Sequence, residues 1–147
     1  MARSITIAWC IALVVFWLAF ASPSVASYEE FKIVVHRDNP NSVIDRDFLR
    51  DIYLRRATHW SDGAAIRPID LPTGSPSYDR FVRTVLGKSP AQLRSYWLQR
   101  IFSGTGVPPT GASSTSAAVD YVLANRGGVT YLPIDADVRG AKVIQIR

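Results

Sequence analysis

IDLPTGSPSYDRFVRTVL, running from Ile69 to Leu86, changes its hydrophobic period halfway along. Ala65 to Leu71 reads as a strand, with Pro68 expected on an edge or at a bulge because proline has no N–H to give to a ladder. Tyr78, Phe81, Val82, Val85 and Leu86 then recur at helical spacing. Between the two lies Pro72-Thr73-Gly74-Ser75-Pro76, in which Ser75 is the natural N-cap and Pro76 the first helical residue, and Gly87 supplies the stop. A strand that feeds a helix through a short loop is a building unit of layered α/β folds.

The flanking sequence repeats the pattern on both sides. Upstream, Phe31-Lys32-Ile33-Val34-Val35 is a β-branched run closed by His36-Arg37-Asp38-Asn39-Pro40, where Asn-Pro and the charges mark a turn. From Asp45, a suitable N-cap, Phe48, Leu49, Ile52 and Tyr53 fall on one helical face, with Ile44 placed to staple against Leu49 and the helix ending near Arg55. Trp60-Ser61-Asp62-Gly63 follows as a turn. Downstream, Ser89-Pro90-Ala91-Gln92 forms a Ser/Gln capping box that opens a third helix, with Leu93, Tyr96, Trp97 and Ile101 expected on its buried face. Ser103-Gly104 ends it, and residues 104–116 read as a loop of small and polar residues. A fourth helix is expected from Ala117 to Asn125, with Val119, Val122 and Leu123 inward. Val129 to Leu132 and Lys142 to Ile146 close the chain as strands. The expectation is an α/β fold: a layered mixed sheet of about four to five strands with about four helices.

The N-terminus reads differently. Arg3 precedes an almost unbroken apolar run from Ile5 to Phe20, and Ser24-Val25-Ala26 offers the small residues of a cleavage site. Residues 1–26 are therefore expected to be a signal peptide cut after Ala26. Sixteen helical residues at about 1.5 Å each span about 24 Å, short of the roughly 30 Å hydrocarbon core, which disfavours a membrane anchor. Export out of the cytoplasm follows, with no membrane span after cleavage. Residues 27–147 are long enough to form a single domain with a modest core. The only cysteine, Cys10, leaves with the signal, so the exported chain has no disulfide and no thiolate metal site. Losing Arg3 takes the basic residues from 17 to 16 against 12 acidic, a balance of +4. That excess suits a small anion or a negatively charged surface.

The loop before the second helix is the leading candidate site. A helix start leaves N–H groups pointing one way, and the helix dipole adds partial positive charge, so an oxyanion is favoured there. Gly74 allows backbone approach, and Thr73 and Ser75 offer hydroxyls; the plainer reading is that Ser75 only caps the helix. Ser113-Ser114-Thr115-Ser116 ahead of the fourth helix offers the same donors, with Ser114 among them and the same plainer reading. Gly104-Thr105-Gly106 follows a helix rather than preceding one, so it reads as a stop. Lys32, Arg37 and Arg67 are available to add charge, though lone basic residues usually face solvent. Catalysis has little support: His36 and His59 lie in turns without metal-site spacing, and no serine sits in a nucleophile elbow. Asp135 and Asp137 read as surface, and Trp60 and Trp97 as core. No enzyme, metal site, cofactor or nucleic-acid partner is expected.

The order of these pieces resembles the periplasmic phosphate-binding proteins of ABC transporters. The resemblance rests on Ile33 to Pro40, on Asp47 to Leu54 with Trp60 behind it, and on Gly74-Ser75-Pro76 leading to Phe81 and Val85-Leu86-Gly87. It ends with Gly127-Gly128-Val129-Thr130-Tyr131-Leu132, similar to that family's Gly-Ala-Ile-Gly-Tyr segment. The resemblance implies one lobe of a periplasmic binding protein, phosphate or another small oxyanion as ligand, and an ABC permease or an envelope sensor protein as partner. It adds Ser77 to the ligand set. Two departures weaken the implied grip. The family closes two lobes on phosphate, whereas 121 residues suffice for one. Its loop has the form Arg-x-x-Gly-Ser-Gly-Thr, and here Leu71 holds the arginine position, Pro76 the second glycine and Ser77 the threonine. Without the bidentate arginine, binding is expected to be weak. An interaction or sensory module that has lost its ligand is the alternative.

Overall fold

The first three helices start at the small polar residue expected to cap each, and the fourth opens two residues before the expected Ala117, at Thr115. Asp45 accepts from the N–H groups of Asp47 and Phe48 to open α1 (Arg46–Tyr53), and Ser75 with Pro76 behind it opens α2 (Pro76–Thr84). Ser89 and Gln92 exchange both bonds of a capping box at α3 (Pro90–Phe102), while Ser114 opens α4 (Thr115–Ala124). These caps satisfy donors that no helical carbonyl can reach. The computed structural model describes residues 31–147, and the expected signal segment with its cut after Ala26 lies outside the described residues.

Six strands form one mixed sheet: β1 (Phe31–Val35), β2 (Val43–Ile44), β3 (Arg67–Asp70), β4 (Thr110–Gly111), β5 (Gly128–Pro133) and β6 (Lys142–Ile146), in the order β2-β6-β1-β5-β3-β4. β1 runs antiparallel to β5 and β6, whereas β3 is parallel to both β5 and β4. Four of these were legible as hydrophobic runs. β2 and β4 are two residues each: β2 falls between the expected turn and α1, where Ile44 was read only as a staple, and β4 falls in the stretch read as a loop. Pro68 pairs with Val129 of β5, but β4 reaches only Ile69 and Asp70, so at Pro68 one side of the strand is open, as a proline requires.

β5 is buried along both alternating faces from Gly128 to Leu132, which places helices on each side of the sheet. Tyr131 stacks on Phe81 of α2 at 3.8 Å, and Phe31 and Tyr53 meet the same pair edge-on. α4 packs across β1, β3 and β5. Phe81 and Trp97 are buried as expected, but Ile101 is 48% exposed, and the buried face of α3 is only Leu93 and Trp97. Gly127 shows why its position tolerates no side chain: a Cβ there would lie 1.8 Å from the Ala65 carbonyl oxygen. Among the described residues no helix is long and apolar enough to cross a membrane.

Candidate functional site

The chain leaves β3 at Asp70 and turns at once. The Ser75 N–H donates to the Pro72 carbonyl at 3.1 Å, closing a four-residue turn whose third residue, Gly74, has φ of 84°. A type II turn needs that left-handed angle at its third position, so the backbone requires glycine here whether or not anything binds. A Cβ on Gly74 would meet nothing within 4 Å, so the space above the turn is open. Ser75 Oγ accepts from the Tyr78 N–H at 3.4 Å, a long capping bond.

A cavity of about 340 Å³ lies beside this turn, lined by Asp70, Pro72, Thr73, Tyr78 and Trp97 and closed by Pro108, Pro109 and Gly111. Of the five residues expected to bind, Thr73 lines it. Gly74 and Ser75 sit on the turn next to it, and Ser77 is buried at 8% exposure on the first turn of α2. Ser114 is exposed and accepts from the Ala117 N–H at 3.1 Å, an ordinary cap. The sheet nonetheless brings the two candidate loops together. Asp70 pairs with Gly111 in parallel register and its carbonyl accepts from the Ala112 N–H at 2.8 Å, so the starts of α2 and α4 lie at the same end of the sheet. That end, beyond the carboxyl ends of parallel strands, is where open α/β sheets bind ligands.

Asp70 is the group the sequence reading passed over. Its carboxylate accepts from the Tyr131 hydroxyl at 2.9 Å, and burial pushes its pKa up to about 7 despite that hydrogen bond. Tyr53 and Thr130 both donate to the neighbouring Ile69 carbonyl at 3.1 Å, so the strand end rests on a polar cluster inside the aromatic core. Burial, together with the Asp70 charge, drives the Tyr53 and Tyr131 hydroxyls well above the usual tyrosine range and raises that of Tyr78 as well. The one sequence signal for this was a carboxylate standing between Ile69 and Leu71 in an apolar strand. Leu71, where the resemblance puts arginine, is 2% exposed and gives the cavity an apolar wall. Lys32 is spent on the Ile134 and Ala136 carbonyls, at 2.9 and 2.6 Å, and Arg67 sits at the opposite end of β3. Among the described residues no three His, Cys, Asp or Glu side chains gather as a metal site would need.

No family model matches the sequence, and no curated protein matches it. Solved structures do match by fold. An ABC-type phosphate transport receptor from Vibrio cholerae is 20% identical with a TM-score of 0.62, over 80% of this chain and 46% of that one. A protein from Clostridium perfringens, assigned as a phosphate ABC transporter substrate-binding protein and solved with bound phosphate, is 16% identical with a TM-score of 0.62 over 80% and 44%. PstS from Borrelia burgdorferi is 11% identical with a TM-score of 0.61 over 80% and 47%. The chain thus spans less than half the length of these structures. At such identities the likeness establishes the fold, a mixed α/β unit resembling a lobe of periplasmic binding proteins.

Proposed function

We propose that this chain is an exported solute-binding-like protein of the cell envelope, a single domain over residues 27–147 once residues 1–26 are removed. It holds phosphate or another small oxyanion weakly at the start of α2, through Thr73, Gly74, Ser75 and Ser77, with the Ser114 helix start at the same end of the sheet. The observation that supports this most is the parallel pairing of β3 with β4, which puts the starts of α2 and α4 at the same end of the sheet, with a cavity beside the turn that opens α2. Affinity is limited by Leu71, which supplies no charge, and by Asp70, whose charge opposes an anion when ionised. Dissociation constants of millimolar order, about 4 kcal/mol, are expected. A permease or an envelope sensor would read the bound state. Binding accounts for the site without catalysis.

The test is thermal unfolding with sulfate against chloride at equal ionic strength. Sulfate keeps its charge between pH 5.5 and 8, so the change in response reports on the protein. A sulfate-specific rise in Tm that is larger at pH 5.5, where Asp70 carries its proton, supports the reading. A rise that chloride reproduces at both pH values overturns it. The second reading, an interaction module without a ligand, draws on a different observation: Phe102 is 88% exposed beside Leu98 and Ile101 on α3. Apolar surface of that kind suits a protein contact.

A further inference from the structure

The amino end of β3 carries a second concavity, of about 440 Å³, between the end of α1, the first residues of β3 and the segment leading into β4. Two guanidinium groups line it, Arg55 and Arg67, and none of its lining residues is acidic. Other arginines of the domain pair with carboxylates. Arg50 pairs with Asp47 at 2.9 Å, Arg56 with Asp51 at 3.7 Å, and Arg139 with Asp120 at 2.9 Å. Neither Arg55 nor Arg67 has a side-chain hydrogen bond or ion pair with the described residues. Two unneutralised cations facing one hollow repel each other, and an anion between them removes that repulsion.

The backbone at Arg55 is an independent observation. α1 ends with the Arg55 N–H donating to Ile52 and the Arg56 N–H donating to Asp51, the paired bonds of a Schellman close. The left-handed residue of that motif is usually glycine, yet here it is Arg55, at φ of 57°. A glycine would serve the backbone better, so the arginine is explained by its side chain. The dipole at the end of α1 favours a cation there, which offsets part of the strain.

We infer that this concavity is a second ligand site, for a small organic anion with a phosphate or carboxylate head and an apolar body. The paired guanidiniums match the forked oxygens of such a head, and the Thr58 hydroxyl, 2.9 Å from His59 Nδ1, lines the same hollow. The volume exceeds that of a free phosphate. Val107, Pro108 and Tyr121 form an apolar wall on which the body rests.

Phenyl phosphate, benzoate, inorganic phosphate and phenol are the probes, followed by amide chemical shifts in the full chain. Phenyl phosphate or benzoate should shift the amides of Arg55, Arg67 and Tyr121 and bind at least tenfold tighter than phenol. The ratio of the two tells which head the site prefers. Arg55→Gly and Arg67→Gln should each weaken that binding by tenfold or more. Glycine suits the φ of 57°, so Arg55→Gly should melt no lower than the parent, which separates lost binding from lost fold. Sulfate shifts at Thr73 to Tyr78 should persist in both variants, so this site and the one at α2 succeed or fail separately. If phenyl phosphate and benzoate bind no better than phenol, or if both variants bind them as the parent does, the second site does not exist.

Discussion

The two ends of β3 present opposite chemistry within four residues. At the carboxyl end, backbone geometry favours an anion, because two helices start there, while the side chain in place is Asp70, held by Tyr131 in the aromatic core. At the amino end no helix starts, yet Arg67 and Arg55 face the same hollow without acidic neighbours among its lining residues. A helix terminus contributes roughly half an elementary charge and only the start of α2 lies beside the cavity, whereas an ionised Asp70 lines it with a full charge. The backbone signal is therefore outweighed by one side chain at one end, and side chains alone set the field at the other. Only below the pKa of Asp70, about 7, does the helix start act unopposed.

The largest expected effect tests what holds the acidic end in place. Phe81 stacks on Tyr131 at an interplanar angle of 3° and meets Tyr53 at 4.7 Å, so Phe81→Ala removes the ring that fixes the partner of Asp70. The loss should be about 3–5 kcal/mol in a denaturant titration, a large share of the stability of a domain this size. A loss under about 1 kcal/mol would mean that the cluster collapses around the gap and does not hold Asp70 rigidly.

The next effect is smaller and has the opposite sign at high pH. The folded-state pKa of Asp70 is raised, to about 7, against about 3.9 when unfolded. The folded protein therefore holds a proton that the unfolded chain has released between pH 4 and 7. Stability from this group is greatest below pH 4 and is lost as pH rises through 7. From pH 8 down to 5.5 the parent should gain about 2 kcal/mol from Asp70. Asp70→Asn keeps an acceptor for Tyr131 and should be flat across that window, ending more stable than the parent at pH 8. Parallel profiles for the two proteins would show that Asp70 is solvated, and the contrast between the ends of β3 would shrink accordingly.

The elements legible in the sequence were those whose signal is local. Asp45, Ser75 and Ser89 cap helices because a side-chain oxygen reaches N–H groups two or three residues on, whatever the rest of the chain does, while the start of α4 was read two residues late. β2 and β4 had no such signal. Two residues carry no period, and they are strands only because β6 and β3 run alongside them. Ile101 continues the Leu93–Trp97 row of α3, and the sequence gives no sign of where the packed surface of the domain stops. Asp70 and the grouping of Arg55 with Arg67 were missed for the same reason. Asp70 meets Tyr131 across 61 residues, and Arg55 and Arg67 lie on different elements, so neither grouping exists until the sheet is assembled. The loop from Thr73 to Ser77 was legible because its turn and cap are contiguous, and that same chemistry marks every helix start whether or not it binds.

The smallest effect separates those two roles at Ser75. Its capping bond to the Tyr78 N–H is 3.4 Å, against 3.2 Å and a reciprocal 2.8 Å at Ser89 and Gln92, so Ser75→Ala should cost about 0.5–1 kcal/mol, the low end for a cap. Ser89→Ala should cost at least as much, because it removes the shorter of the two hydroxyl caps, while the Gln92 side chain keeps its bond to the backbone N–H at 89. If capping is all that Ser75 does, its loss is the same in sulfate and chloride and the same at pH 5.5 and 8. If its hydroxyl also meets an anion, the sulfate-dependent rise in Tm shrinks in the variant, most clearly at pH 5.5, while the chloride value shows only the cap. Ser114→Ala is the parallel test at the other helix start: Ser114 caps α4 at 3.1 Å from the same end of the sheet, and neither serine lines the cavity itself. Equal sulfate responses in the Ser75 and Ser114 variants and the parent would assign both hydroxyls to capping alone, and would leave the basic end of β3 as the better anion site of the two.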